Sequence, residues 1–207
     1  MPKGGQITNA LAVITIAAWL IATLGSHWFD AAALGGFIPA RVFGALDVQG
    51  ALPWPLTPLT ATLVHADLLH LAFNMLMLVW CGRQVEQAIG GGYTLLLYVV
   101  GAYAAALGQF VMGPYETSVM VGASGAISAL MAFYALVFSE QKVRAIGPIP
   151  SHIVRALWLG AAWVGLQMLI GLGFGLGGAL IAVGAHIGGF IAGLLLARPL
   201  LRLRYRH

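Results

Sequence analysis

Apolar residues gather along this chain into six long runs, set off by polar residues or by Gly and Pro breaks. The runs cover roughly residues 7–28, 56–80, 93–112, 119–138, 153–170 and 176–196. Strict alternation of apolar and polar positions is missing, and Leu and Ala are abundant, so the pattern predicts helices rather than strands. Each run is close to the ~20 residues a helix needs to cross a bilayer. A chain in lipid must also satisfy its backbone groups internally, which helices do. The expected fold is therefore all-α, a polytopic membrane protein with six transmembrane helices.

Composition narrows the picture further. Only 8% of the 207 residues are charged and 60% are hydrophobic, too little charge to cover a water-facing surface and too much apolar mass for disorder. Six spans take up about 120 positions, which leaves no room for a separate soluble domain, so residues 1–207 are read as one membrane domain. Lys3 precedes the first run and small residues follow it at Ala31–Ala33, which resembles a signal peptide. The run at 7–28 is longer than a typical signal core, and its removal would put the termini on opposite sides. It is read as a retained span. The single cysteine, Cys81, allows no internal disulfide and excludes a cysteine-rich metal site.

Charge sets the expected orientation. With both termini cytoplasmic, Lys3, Arg83, Lys142, Arg144, Arg155, Arg198, Arg202, Arg204 and Arg206 all lie inside, and only Arg41 lies outside. The basic tail from Arg198 then reads as a cytoplasmic stop signal in contact with lipid headgroups, not as a nucleic-acid site. The connection at 29–55 is long and carries Phe37, Phe43 and Trp54 with little charge. It is expected to lie partly in the outer membrane interface.

Polar residues at membrane depth are costly, so they mark the candidate chemistry. The second run carries His65, His70 and Asn74, the fourth has Gly122-Ala123-Ser124-Gly125, and the sixth has Ala185-His186-Ile187-Gly188-Gly189 with Gly193. Singly, each has an ordinary explanation. A serine among glycines is a common helix-packing pattern, and Gly189 with Gly193 lets helices approach closely. Together they fit nucleophilic catalysis. A hydroxyl nucleophile needs a base, and histidine is the usual one. The oxyanion that forms needs donors, and His70 and Asn74, one helical turn apart, supply two. No carboxylate lies in the middle of a span and H-E-x-x-H is absent, so a Ser–His dyad remains rather than a triad, an Asp–Asp site or a zinc site.

These residues resemble the rhomboid family of intramembrane serine proteases. His65-Ala66-Asp67-Leu68-Leu69-His70-Leu71-Ala72-Phe73-Asn74 is similar to the family's H-x-x-x-x-H-x-x-x-N segment. Gly122-Ala123-Ser124-Gly125 is similar to its G-x-S-G, and Ala185-His186 through Gly189 and Gly193 to its A-H-x-x-G-x-x-x-G. Pro39-Ala40-Arg41 and Glu86 also resemble family features. The resemblance implies a rhomboid-like six-helix bundle, with Ser124 as nucleophile and His186 as general base. It implies oxyanion binding by His70, Asn74 and the Ser124 amide, with Gly122, Gly125, Gly189 and His65 shaping the site. It implies no cofactor and no metal.

The implied partners are transmembrane protein substrates and the lipid bilayer, and the implied location is a bacterial inner membrane. Residues 29–55 would be the family's half-immersed first loop, and residues 171–178 a cap over the site. One position departs from the pattern. Many members have a Tyr one turn after the nucleophile that stacks on the catalytic His, and here it is Ser128. His186 then needs support from another aromatic or from the Ser128 hydroxyl. Two further readings accompany the protease. One is a catalytically inactive rhomboid-like protein that binds transmembrane clients, and the other is a small transporter that uses the buried His and Asn.

Overall fold

The computed structural model describes residues 4–138, 143–173 and 182–206, and all its regular elements are helical. The long helices are α1 (Gln6–Leu24), α4 (Leu68–Ile89), α5 (Gly91–Met112), α7 (Ser151–Gly173) and α8 (Val183–Arg204), with the shorter α6 (Ser124–Val137) among them. Two short turns, α2 (Ala31–Gly35) and α3 (Thr57–Thr60), lie between α1 and α4 together with three single 3-10 turns. Helices α1, α4, α5 and α8 are each long and apolar enough to cross a membrane. Large apolar side chains such as Val13, Leu107, Trp158 and Leu195 point outward from α1, α5, α7 and α8. In water this surface would drive aggregation, whereas in a bilayer it is the solvated face. The molecule is a helical membrane bundle and a multi-pass membrane protein.

Several helices begin away from the edges of the apolar runs, for local reasons. The second run suggested 56–80, but α4 starts at Leu68 and extends to Ile89. Pro53, Pro55 and Pro58 break the earlier stretch into tight turns. Asp67 then caps α4, with its carboxylate accepting from the His70 amide at 2.7 Å. His65 therefore precedes the helix instead of lying on it. The fourth run suggested 119–138, but α6 starts at Ser124 because Gly122, at φ +107°, turns the chain just before it. Helix α8 begins at Val183. The expected cap falls largely outside the described residues, because 174–181 are not among them, while 171–173 belong to the last turn of α7.

The apolar core lies among α4, α5 and α6, and the helices approach one another most extensively where α5, α6 and α8 pack together. Backbone contact there depends on small residues: Gly101 faces Ala129 and Ala126, and Gly108 faces Gly184 and Gly188. Helix α1 is held differently. The Glu86 carboxylate on α4 accepts from the amides of Ile7 and Thr8 at 3.1 and 2.9 Å, and from the Thr8 hydroxyl at 2.7 Å. A carboxylate from one helix thus closes the open amides of another. Arg83, Arg155, Arg198 and Arg204 gather at this same end of the bundle. Arg83 donates to Asn9, Arg155 to the Leu136 carbonyl, Arg198 pairs with His152, and Arg204 lies beside Gly90.

The 29–55 connection is ordered by its own bonds. Asp30 caps α2 through the Ala32 and Ala33 amides, Arg41 Nη2 donates to the Leu52 carbonyl, and Phe43 packs on Phe110 and Tyr115. Phe29, Leu52 and Trp54 remain exposed along it, as does Trp28 just before it.

Candidate active site

The segment that leads into α6 is fixed by the first loop. Phe37 and Met120 exchange both backbone hydrogen bonds, at 3.0 and 2.8 Å, and the Ala40 amide donates to the Glu116 carbonyl. Two residues before Ser124, the Gly122 amide donates to the Ala61 carbonyl at 2.9 Å. Glycine is required at Gly122 for two reasons. Its φ of +107° lies in the left-handed region, and a Cβ there would sit 2.7 Å from the His70 ring.

Ser124 opens α6 with no side-chain cap, so its first-turn amides keep their donors free. Those amides and the positive end of the helix dipole together favour negative charge at this point. Across the interface, His186 on α8 places Nε2 2.8 Å from Ser124 Oγ, and both residues are buried. The two positions are 62 residues apart in the chain, so the pair exists only because α6 and α8 pack tightly. Gly125 and Gly189 allow that packing. A Cβ on Gly189 would fall on the Gly125 carbonyl, and one on Gly125 would meet Ala105 and Ala185. The Nδ1 of His186 has no partner among the described residues, so no carboxylate among them orients the ring, and Ser124 and His186 form a pair.

His70 and Asn74 lie one turn apart on α4. The His70 ring rests on Gly122, two residues before Ser124, and the Asn74 amide donates to the His70 carbonyl at 2.9 Å. Asn74 is 1% exposed and its Oδ1 has no described partner. His65, also buried, packs edge-on against His70 with ring centroids 5.0 Å apart. The sequence-predicted residues thus converge on the start of α6: Ser124 on His186, Gly122 on His70, Gly125 on Gly189, and His65 behind His70. Among the described residues, no three His, Cys, Asp or Glu side chains cluster as metal ligands.

The Ser128 hydroxyl does not support His186. It donates to the Ser124 carbonyl at 2.7 Å and accepts from the Trp163 indole at 2.8 Å. The sequence does not single out Trp163, because a tryptophan in an apolar run carries no pattern of its own. Only the fold brings it to Ser128, 35 positions away.

A family model for the rhomboid domain matches residues 54–203, from the turns before α4 into the last turn of α8. The chain is 32% identical over 142 residues to the Rhomboid protease GluP of Bacillus subtilis (strain 168). That alignment covers 69% of this chain and 25% of the relative, so the chain spans about a quarter of that protein's length. With the domain match extending over well more than half of its length, this chain belongs to the rhomboid family.

Proposed function

We propose that this protein is an intramembrane serine endopeptidase that cleaves peptide bonds in or next to transmembrane segments of membrane-protein substrates. The observation that carries the reading is the 2.8 Å contact between Ser124 Oγ and His186 Nε2, buried between two helices. A buried hydroxyl within hydrogen-bond reach of an imidazole is the nucleophile–base arrangement that nucleophilic catalysis uses. The relative's name as a protease adds support from outside the geometry.

In this mechanism His186 Nε2 takes the Ser124 proton as Oγ attacks the scissile carbonyl. The tetrahedral oxyanion forms at the amino end of α6, where the Ser124 amide, the His70 ring and the second N–H of Asn74 donate to it. The imidazolium then passes its proton to the leaving amine, and water repeats the sequence to release the acyl group. Helix α6 has 14 residues and rises about 21 Å, less than the ~30 Å of a hydrocarbon core. Ser124 therefore lies below the outer surface, beneath the segment that starts after Met112. Both termini are cytoplasmic in this reading, residues 1–207 act as one domain, and the membrane is a bacterial inner membrane.

The experiment is labelling with an activity-based fluorophosphonate, together with cleavage of a reporter transmembrane substrate. Wild type is compared with Ser124→Ala and His186→Ala, and the modified residue is located by mass spectrometry. Labelling at Ser124 that requires His186 is expected, with both variants unable to cleave. Folded wild type that neither labels nor cleaves would refute the protease and favour a client-binding protein.

A further inference from the structure

Trp163 on α7 is 3% exposed, yet it contributes more than packing. Its Nε1–H donates to Ser128 Oγ at 2.8 Å, and the fully buried Ser128 hydroxyl donates to the Ser124 carbonyl at 2.7 Å. The indole ring stacks on Phe73, with centroids 5.8 Å apart and planes inclined by 17°. Phe73 directly precedes Asn74 on α4. One side chain from α7 therefore touches both the helix that carries Ser124 and the helix that carries His70 and Asn74.

We infer that Trp163 is a positioning residue for the Ser124 nucleophile, acting through the Ser128 hydroxyl; the inference rests on the proteolytic reading above. A serine hydroxyl has one proton and rotates to suit its surroundings. An indole N–H can only donate, so it occupies a lone pair of Ser128 Oγ and leaves that proton for the Ser124 carbonyl. In a dry interior the two bonds polarise one another and stiffen the chain of three groups. The Ser124 carbonyl shares its Cα with the reacting side chain. Fixing that carbonyl fixes the first turn of α6, and with it the direction in which Oγ meets His186.

Serines in apolar helices often bond back to the carbonyl four residues earlier, and that bond alone loosens or bends the helix. The second bond, from another helix, restrains it. Packing on Phe73 would need only the ring. The indole's single polar atom is aimed at the hydroxyl that contacts the nucleophile's own backbone.

The test uses the full chain in liposomes and measures kcat and KM for a reporter transmembrane substrate, with thermal midpoints in parallel. The variants are Trp163→Phe, Ser128→Ala and the double variant. Trp158→Phe serves as control, on the same helix but 67% exposed. Trp163→Phe keeps an aromatic ring on Phe73 and removes only the N–H. Each single variant is expected to lower kcat about three- to tenfold, the range of one net hydrogen bond, with KM within about twofold.

The double variant should be no slower than the slower single one, because both changes break the same chain of contacts. Trp158→Phe should match wild type. A wild-type kcat in Trp163→Phe, additive losses in the double variant, or a change confined to KM or to the midpoint would overturn the inference. Should Trp163→Phe fail to fold, Ser128→Ala decides, and an unchanged kcat there is equally fatal. An inactive wild type overturns the proteolytic reading and this inference with it. An active wild type with unaffected Trp163→Phe overturns this inference alone.

Discussion

Substituting Gly189 by alanine tests whether helix contact holds the Ser124–His186 pair together. In an open helical position the exchange is favourable, because alanine exceeds glycine in helix propensity by about 1 kcal/mol. At Gly189 the new Cβ falls on the Gly125 carbonyl oxygen, and it also lies 3.0 Å from that carbonyl carbon and 3.3 Å from Ser128 Cβ. The obstacle is backbone, which cannot rotate away. Normal carbon–oxygen contact is about 3.3–3.6 Å, so α8 must retreat from α6 by roughly 1 Å.

His186 is one turn from Gly189, and Ser124 directly precedes Gly125. A retreat of that size stretches the 2.8 Å Ser124–His186 contact to about 3.8 Å, beyond hydrogen-bond range. Misplacement by about 1 Å costs on the order of 10²-fold in rate, and overpacking costs about 1–3 kcal/mol of stability. Fluorophosphonate acylation rates and thermal midpoints measure the two effects. Gly92→Ala is the control, because a Cβ there meets nothing within 4 Å. A Gly189→Ala protein with the wild-type acylation rate would refute the idea that glycine contact sets the geometry of the pair.

Other outcomes follow from single contacts. Asn74→Ala should leave residual cleavage, slowed by ~10²–10³, whereas wild-type turnover would remove Asn74 from oxyanion binding. Glu86→Ala, which removes the acceptor for Ile7 and Thr8, should cost about 2–4 kcal/mol in detergent unfolding, and Glu86→Gln less. Equal midpoints for all three proteins would contradict this. Asp67→Ala should lose about 0.5–2 kcal/mol through its cap on the His70 amide, and Asp67→Asn most of the way back; identical midpoints for wild type and Asp67→Ala would sink the capping argument. Reporter fusions after Arg83 and at the C-terminus should read as cytoplasmic, and one after Glu116 as external. The reverse pattern would overturn the charge-based orientation.

The candidate site was legible because it is built from rare residue types. A His, an Asn or a Gly-flanked Ser in an apolar run stands out, and the sequence alone suggests pairing Ser124 with His186. Helix ends were less legible, since hydropathy does not distinguish a tight turn from a helix. Residues 56–64 are as apolar as a span, but Pro58, the prolines just before them and the 3-10 turns delay α4 until the Asp67 cap. The start of α6 depends on a backbone angle at Gly122, which composition cannot report. Trp163 and Ser128 illustrate the limit. Their relation is purely spatial, so the sequence left open what Ser128 does, and the fold turns it toward Ser124 and away from His186.

The contact between Glu86 and the first turn of α1 also sets an order of assembly. Thr8 leaves the ribosome 78 residues before Glu86, and at ~5–20 residues per second that is a wait of about 4–16 s. During this interval α1 is already long enough to enter the membrane, but its leading amides have no carboxylate to receive them. They must borrow water or lipid headgroups at the interface, which keeps that end shallow. When Glu86 emerges the amides exchange partners, and α1 docks on a helix that is itself newly inserted. The contact can therefore close the first helix onto the bundle only after α4 has been made nearly to its end.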